Sequence, residues 1–458
     1  MFSIIGLILS LVLIMFLAYK GYSTIITAPI IALLTIIITT GFNSHLMANY
    51  TEVYMSGFAN FVKNYFPLFM TGAIFAILME KANYAKSISH FITDKLGKNK
   101  AILSIVLSGA LLTYGGVSLF VVAFISYPIA RSLFKEADIP KRLIPGCIAL
   151  GSFTFTMTAV PGTPEIQNVI PMKYFGTDAF AAPLIGIIAS LLMLGLGMLY
   201  LSNEANKARK NGEGYGNHIE KDEVKLTNEN LPHIFIAILP ILIIFVSNLF
   251  FSKIYYPSVD GSYLESFNTS LSNVSGTWSV IISIVIADLF LVITNFKNIK
   301  NIKSVLDEGV SNSFRPLLNS SAIVGYGSVI KSLAVFGVIQ NFVFNISSNP
   351  IISEALSVNL ICGLTASASG GLTITLDALA STYLQMAQSL NISPEILHRV
   401  ASLACGGLDT LPHNGAVITT LAICGLTHKQ SYKDIFVTSV LIPISVTAII
   451  VIGVSLFI

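Results

Sequence analysis

Long apolar runs alternate with short polar breaks along this chain. Residues 2–19, 24–41, 179–201, 234–251, 280–294 and 435–458 carry almost no charge. At about 1.5 Å per residue each is about long enough to cross a ~30 Å hydrocarbon layer as a helix. A transmembrane barrel needs shorter, strictly alternating segments, so the pattern predicts helices. Inside the apolar sequence lie four breaks of another kind: Thr113-Tyr114-Gly115-Gly116, Val160-Pro161-Gly162-Thr163, Ser369-Gly370-Gly371 and Leu411-Pro412-His413-Asn414-Gly415. Unwound backbone survives in a membrane only where protein or an aqueous cavity covers it.

The breaks come in two matched pairs. Gly57 and Gly309 lie 252 positions apart, Gly115 and Gly370 255, Pro161 and Pro412 251, and Asp178 and Asp434 256. The chain therefore divides into a first repeat (1–201), a polar linker (202–232) and a second repeat (233–458). Charge sets their relative direction. Lys81, Lys86, Lys95, Lys98 and Lys100 precede the first glycine-rich segment and Arg131, Lys135, Lys141 and Arg142 follow it. Both flanks then face the cytoplasm, and residues 101–130 enter and leave on one side as a re-entrant hairpin. The flanks of the second, 336–356 and 382–398, hold no Lys or Arg. Its hairpin is expected to open outward. The fold expected is an all-α polytopic membrane protein with two inverted-topology repeats, each with a re-entrant hairpin and a discontinuous helix. About ten crossings follow, with the linker, Lys297, Lys300, Lys303 and Arg315 inside and both termini outside.

Composition agrees: of 458 residues 54% are hydrophobic and 11% charged, with a mean hydropathy of +0.77, outside the soluble range. The net charge of +3 offers no basic patch for nucleic acid. The first apolar run lacks a basic leader and a small-residue cleavage site, and reads as a retained helix. Cys147, Cys362, Cys405 and Cys424 have no metal-binding spacing and read as buried thiols. Neither a phosphate-binding Gly-rich loop with Lys-Ser/Thr nor a protease signature is present.

Paired breaks at matched depth are the layout of a transporter's binding site. Thr113, Tyr114, Gly115, Gly116 and Ser118 in the first hairpin, and Ser367, Ser369, Gly370, Gly371 and Thr373 in the second, offer hydroxyls and backbone N–H groups to an anion; tight helix packing is the alternative use of such small residues. Thr158, Gly162 and Thr163 in the first broken helix and Thr410, Asn414 and Gly415 in the second complete the expected substrate set. Asp409 and His413, an acid and an imidazole within one turn, are candidates for ion coupling or for organising the unwound backbone. Asp377 is a further coupling candidate, and Glu165 a plausible second carboxylate. Asp288 and Lys331 read as structural or snorkelling charges, and Arg399 as an interfacial arginine.

Four stretches carry a family likeness: SASGGLTIT (367–375), ISPEILHR (392–399), GGLDTLPHNGAVIT (406–419) and GLTHKQSY (425–432). They resemble the gluconate permease (GntP-like) family of the ion transporter superfamily, nearest its hydroxybutyrate or short hydroxy-acid branch. The resemblance implies a homodimer in the bacterial cytoplasmic membrane, an elevator-type motion, no cofactor, and proton symport of a small carboxylate. It puts substrate contacts at Gly115, Gly116, Thr163, Ser369, Gly370, Asn414 and Gly415, with Asp409 and His413 in the site. Sodium coupling stays open, because hairpin-tip hydroxyls and free carbonyls also suit Na+. A secondary transporter of a small organic anion is the reading these features favour, against a sodium-coupled di- or tricarboxylate carrier and, from another class, a channel or intramembrane enzyme.

Overall fold

The computed structural model describes residues 2–20, 22–41, 45–117, 119–216, 218, 231–296, 299, 301–334, 336–337, 347–412 and 414–456. Ser118, His413, Lys297, Lys300 and linker residues 217 and 219–230 lie outside the described residues.

All regular structure described is helical, giving an all-α polytopic membrane protein. The first half holds α1 (Phe2–Tyr19) and α2 (Thr24–Thr40), then the long α3 (Leu46–Lys81) and α4 (Tyr84–Leu96). A hairpin of α5 (Ala101–Tyr114) and α6 (Leu119–Glu136) follows. The broken helix comprises α7 (Ile144–Ser152), the single turn α8 (Phe155–Thr158) and α9 (Ile166–Phe175), and α10 (Pro183–Lys210) closes the half. The second half has α11 (Ile234–Ser258) and α12 (Leu271–Asn295), then α13 (Ile302–Ser332). Its hairpin is α14 (Pro350–Thr365) and α15 (Ala368–Ser389). Its broken helix is α16 (Pro394–Cys405) and α17 (Gly415–Cys424), and α18 (His428–Leu456) ends it. Among the described residues five helices, α3, α10, α11, α12 and α18, are long and apolar enough to cross a membrane alone. The helices flanking the breaks fall short of that test in length or in apolarity.

Packing between the halves is reciprocal. Helix α3 crosses α13, with Gly57 facing Ser328 and Gly309 facing Ile74, so near that a Cβ would stand 2.0 Å and 2.8 Å from the neighbour. These are the two glycines 252 positions apart. Helix α2 packs on α13 as α12 packs on α3, and α5 packs on α7 as α14 packs on α16. The aspartates at matched positions each pair with a cation of the other half: Asp178 with Lys253 at 2.7 Å and Asp434 with Arg142 at 3.0 Å. Around this frame, Leu184, Leu191 and Leu199 of α10, Phe235 and Val246 of α11 and Leu289 and Ile293 of α12 are exposed. Such apolar surface belongs against lipid.

Two features differ from expectation. The lysine-bearing flank before the first hairpin is itself a helix, α4, packed on α5 and α11. The tip of the second hairpin is not Gly370-Gly371 but Ala366-Ser367, where Ala366 is left-handed (φ 50°) and Ser367 Oγ accepts the Gly370 N–H at 3.0 Å. Gly371 sits inside α15, where a Cβ would stand 2.5 Å from the Cys362 Cα. That glycine lets the two arms touch, the packing role of small residues in membrane helices. All four cysteines are free and buried.

Candidate functional site

The two broken helices meet where α16 passes the first break, and side chains of α16, Arg399 foremost, join them. Arg399 of α16 is fully buried. Its Nε and Nη2 donate to the Ala181 carbonyl at 3.1 and 2.8 Å, and Nη1 donates to Asn168 Oδ1 at 3.0 Å and the Thr158 carbonyl at 3.4 Å. Ser402 Oγ donates to the same Thr158 carbonyl at 2.9 Å. Asn168 in turn donates to the carbonyls of Thr163 and Ala179 at 2.9 and 3.0 Å. His398 contacts Thr177 Oγ1 at 2.6 Å and Asn168 Oδ1 at 3.2 Å. Carbonyls freed by the unwound segment thus find donors inside the protein, as a low-dielectric interior demands. The expectation of an interfacial Arg399 is corrected: a planar guanidinium with five donors can serve several converging carbonyls, which an arginine at the water layer would not do.

The first hairpin closes over this break. Tyr114 donates to the Pro161 carbonyl at 3.2 Å. Gly162, at φ +83°, tucks beneath Phe180, and the space beyond Gly115 is filled by Ile241. Thr113, Thr158 and Thr163 are buried, and Gly116 faces Pro164. Thr113, Tyr114, Gly115, Gly116, Thr158, Gly162 and Thr163 are therefore brought together, as packed structure around the first break. Glu165 is the residue before α9.

The second break keeps open space. Asn414 caps α17 by accepting the Ala416 and Val417 N–H groups at 2.6 and 3.2 Å. Its amide donates to the Asp409 carbonyl at 2.8 Å and, across to the hairpin tip, to the Ala366 carbonyl at 3.3 Å. Thr410 Oγ1 donates to the Ser439 carbonyl at 2.9 Å. Asp409 is 8% exposed, and its Oδ1 has no hydrogen-bond partner among the described residues. Beyond Gly415 a Cβ would meet nothing within 4 Å.

That space is a cavity of about 310 Å³. Thr365, Ala366 and Ser367 of the hairpin tip line one wall, Gly415, Ile418 and Thr419 another, and Tyr22, Ser23, Thr24, Arg315, Asn319, Ser320 and Ile323 the third. Thr24 donates to Asn319 at 2.9 Å, and Ser320 is paired with Ser369 at 2.9 Å. An exposed guanidinium thus faces the capped starts of α15 and α17. Of the expected substrate residues, Ser367 and Gly415 line this cavity, while Gly370 and Gly371 are packed against Ile323 and Cys362. Thr373 and Asp377 line a second cavity, where Tyr174 donates to Asp377 at 2.5 Å and Lys331 Nζ to the Asp377 carbonyl at 2.7 Å. Asp288 is buried in α12, and its Oδ1 has no hydrogen-bond partner among the described residues. Arg315 and Asn319 were missed as site residues; their four-residue spacing, continued at Ile323, Gly327 and Lys331, marks one face of α13 and was the available signal.

A polar cavity between a hairpin tip, the second broken helix and α13, in an all-helical molecule whose long helices expose apolar faces, is the architecture of a polytopic membrane transporter. Comparison with known proteins agrees and gives the family. The sequence model of the Na+/H+ antiporter family matches residues 156–456. The chain is 42% identical over 467 aligned positions, 98% of each chain, to the uncharacterized transporter YxjC of Bacillus subtilis (strain 168). It belongs to the Na+/H+ antiporter family. An uncharacterized transporter of Haemophilus influenzae is 23% identical over 84% of each chain. The YdaH transporter of Alcanivorax borkumensis, whose crystal structure was described as having an unusual topology, matches with a TM-score of 0.56 over 92% of this chain and 90% of that one. At 13% identity, this likeness speaks to the fold.

Proposed function

We propose that the protein is a secondary active transporter that imports a small organic anion, such as gluconate or a 3-hydroxybutyrate-like hydroxy- or keto-monocarboxylate, by proton symport. The carrying observation is the cavity of about 310 Å³ in which Arg315 faces Ser367 and Gly415. At ~30 Å³ per water it holds roughly ten waters, room for a small carboxylate and part of its hydration. Helix starts and a guanidinium favour negative charge there. The proton carrier in this reading is Asp409, whose Oδ1 has no hydrogen-bond partner among the described residues and whose carbonyl is bonded to Asn414 next to the cavity-lining Gly415, assisted by His413. An elevator-type motion, a homodimer, a bacterial cytoplasmic membrane location and outward-facing termini belong to the same proposal, which carries forward the gluconate-permease resemblance.

A second reading is cation/proton exchange, favoured by the family to which the chain belongs, with Asp409 binding Na+ and H+ in turn. Sodium-coupled di- or tricarboxylate transport is the third. Proteoliposomes separate them. Proton symport gives 3-hydroxybutyrate or gluconate accumulation driven by an inward proton gradient, and Asp409→Asn or His413→Ala abolishes accumulation while anion counterflow persists. Uptake indifferent to a pH gradient and dependent on Na+ would move the assignment to sodium coupling. Na+/H+ exchange without anion uptake would move it to antiport.

A further inference from the structure

One face of α13 lines both cavities. Arg315, Asn319, Ser320 and Ile323 face the first, and Val324, Gly327, Ser328 and Lys331 face the second. These positions follow the three- and four-residue steps of a helix stripe. The two sets of lining positions on α13 are centred about 12 Å apart along the axis at ~1.5 Å per residue. The stripe has a cation at each end and an apolar waist between. At the waist the contacts are reciprocal: a Cβ on Gly370 would stand 2.7 Å from Ile323, and one on Gly327 would stand 2.2 Å from Ile374. Each isoleucine fills the space its facing glycine leaves. The Ser320–Ser369 bond reinforces this wall.

The second cavity is the larger, about 480 Å³, and Lys63, Lys173 and Lys331 line it with Glu52 and Asp377, a formal excess of one positive charge. Neither Lys63 nor Lys173 has an ion-pair partner among the described residues. Tyr65, 2% exposed, also lines it, and its hydroxyl has no hydrogen-bond partner among the described residues. A buried hydroxyl without a partner is uncommon and points to an unfilled contact. Lys63 and Arg315 stand 252 positions apart, the separation of Gly57 and Gly309. Each half therefore contributes one cation, at the same register, to a different cavity.

We infer that the second cavity is an anion-binding site for a small carboxylate, the far station of the route whose near station holds Arg315, with the two isoleucine–glycine contacts as the wall between. Lys63 and Lys331 supply charge, and the Tyr65 hydroxyl supplies a donor. This rests on the anion-transport reading above, so the experiment measures transport and site occupancy separately.

The native thiols are buried, so Asn64→Cys introduces a reporter on the cavity wall. Its modification by an anionic methanethiosulfonate is timed in proteoliposomes with and without millimolar 3-hydroxybutyrate, and gluconate is run in parallel. The expected result is at least threefold slower modification with the carboxylate. Protection disappears when Lys63→Gln and Lys331→Gln are added, in protein whose thermal melting matches the Asn64→Cys parent. Each lysine change is also made singly, in case the double variant melts lower. No protection in the folded parent, or equal protection without the lysines, overturns the site. If carboxylate uptake by the unaltered protein is saturable and lost in Arg315→Gln while protection is absent, only the second station fails. If there is no carboxylate uptake at all, the transport reading fails with it.

Discussion

Replacing Arg399 by methionine keeps most of the side-chain volume and removes every donor that Arg399 itself sends to the first break, leaving the Ser402 and His398 contacts from α16 in place. Two acceptors retain other partners: the Thr158 carbonyl keeps Ser402 at 2.9 Å, and the Ala179 carbonyl, which accepts from Arg399 Nη2 at 3.5 Å, keeps the Gly162 N–H at 2.8 Å. The Ala181 carbonyl has no donor among the described residues except Arg399. Leaving one buried carbonyl unsatisfied costs about 1–3 kcal/mol, and losing charge-assisted bonds to Asn168 and Thr158 adds to this. Relief of the guanidinium's own desolvation offsets part of the loss. A net destabilisation of about 2–4 kcal/mol is expected. Arg399→Lys keeps the charge but lacks the planar fork, and falls between parent and methionine variant. The four buried thiols make the assay direct: a thiol-reactive fluorophore reports unfolding as the detergent-solubilised protein is heated. The melting midpoint is expected to fall by several degrees in Arg399→Met and by less in Arg399→Lys. A methionine variant that melts with the parent would refute the joining role and return Arg399 to an ordinary position.

Other outcomes follow from the same geometry. Gly371→Ala sets a Cβ 2.5 Å from the Cys362 Cα, and overpacking of about 1–3 kcal/mol or more should appear as poor expression or a lowered melting midpoint. Gly415→Ala meets open space, so its stability stays within about 0.5 kcal/mol of parent while its KM for 3-hydroxybutyrate rises in uptake assays. Asn414→Ala loses the α17 cap and the link to Ala366; about 1–2 kcal/mol is expected, read by the same melting assay. Glu213, past the end of α10, is held below the ordinary carboxylate range by its hydrogen bonds with Arg142. Its stabilisation is thus present above the ordinary glutamate value and lost as pH falls through the lowered one. Being mostly exposed, the pair is worth at most about 0.5 kcal/mol, so Glu213→Gln should cost a fraction of a degree at pH 7 and progressively less as pH falls below the ordinary glutamate range.

The helical runs were legible because membrane helices announce themselves by length and apolarity: 2–19 coincides with α1, and the expected 24–41 differs from α2 by one residue. The proline- and glycine-containing breaks were legible because they interrupt apolar sequence with residues that helices reject. What stayed hidden depends on neighbours. Gly370-Gly371 reads as a turn, but only the facing Ile323 and Cys362 reveal it as a packing surface, and the turn falls at Ala366-Ser367. Helix α4 was hidden because its lysines read as a charged flank. Arg399 lies near a helix start, where arginines commonly reach water, and its burial is created by carbonyls 218 to 241 positions away. Arg315 was assigned to orientation alone, since sequence shows that α13 has a polar stripe without showing what faces it.

The central claim is that Arg315 and the capped helix starts around Ser367 and Gly415 hold a small carboxylate that moves with protons. Its most direct test is uptake of labelled 3-hydroxybutyrate and gluconate into proteoliposomes under an inward proton gradient, comparing parent with Arg315→Gln. Saturable accumulation in the parent that collapses with the gradient, and falls at least tenfold in Arg315→Gln while thermal melting is retained, is the expected result. Uptake no greater than in protein-free liposomes, or unchanged by Arg315→Gln, would contradict it.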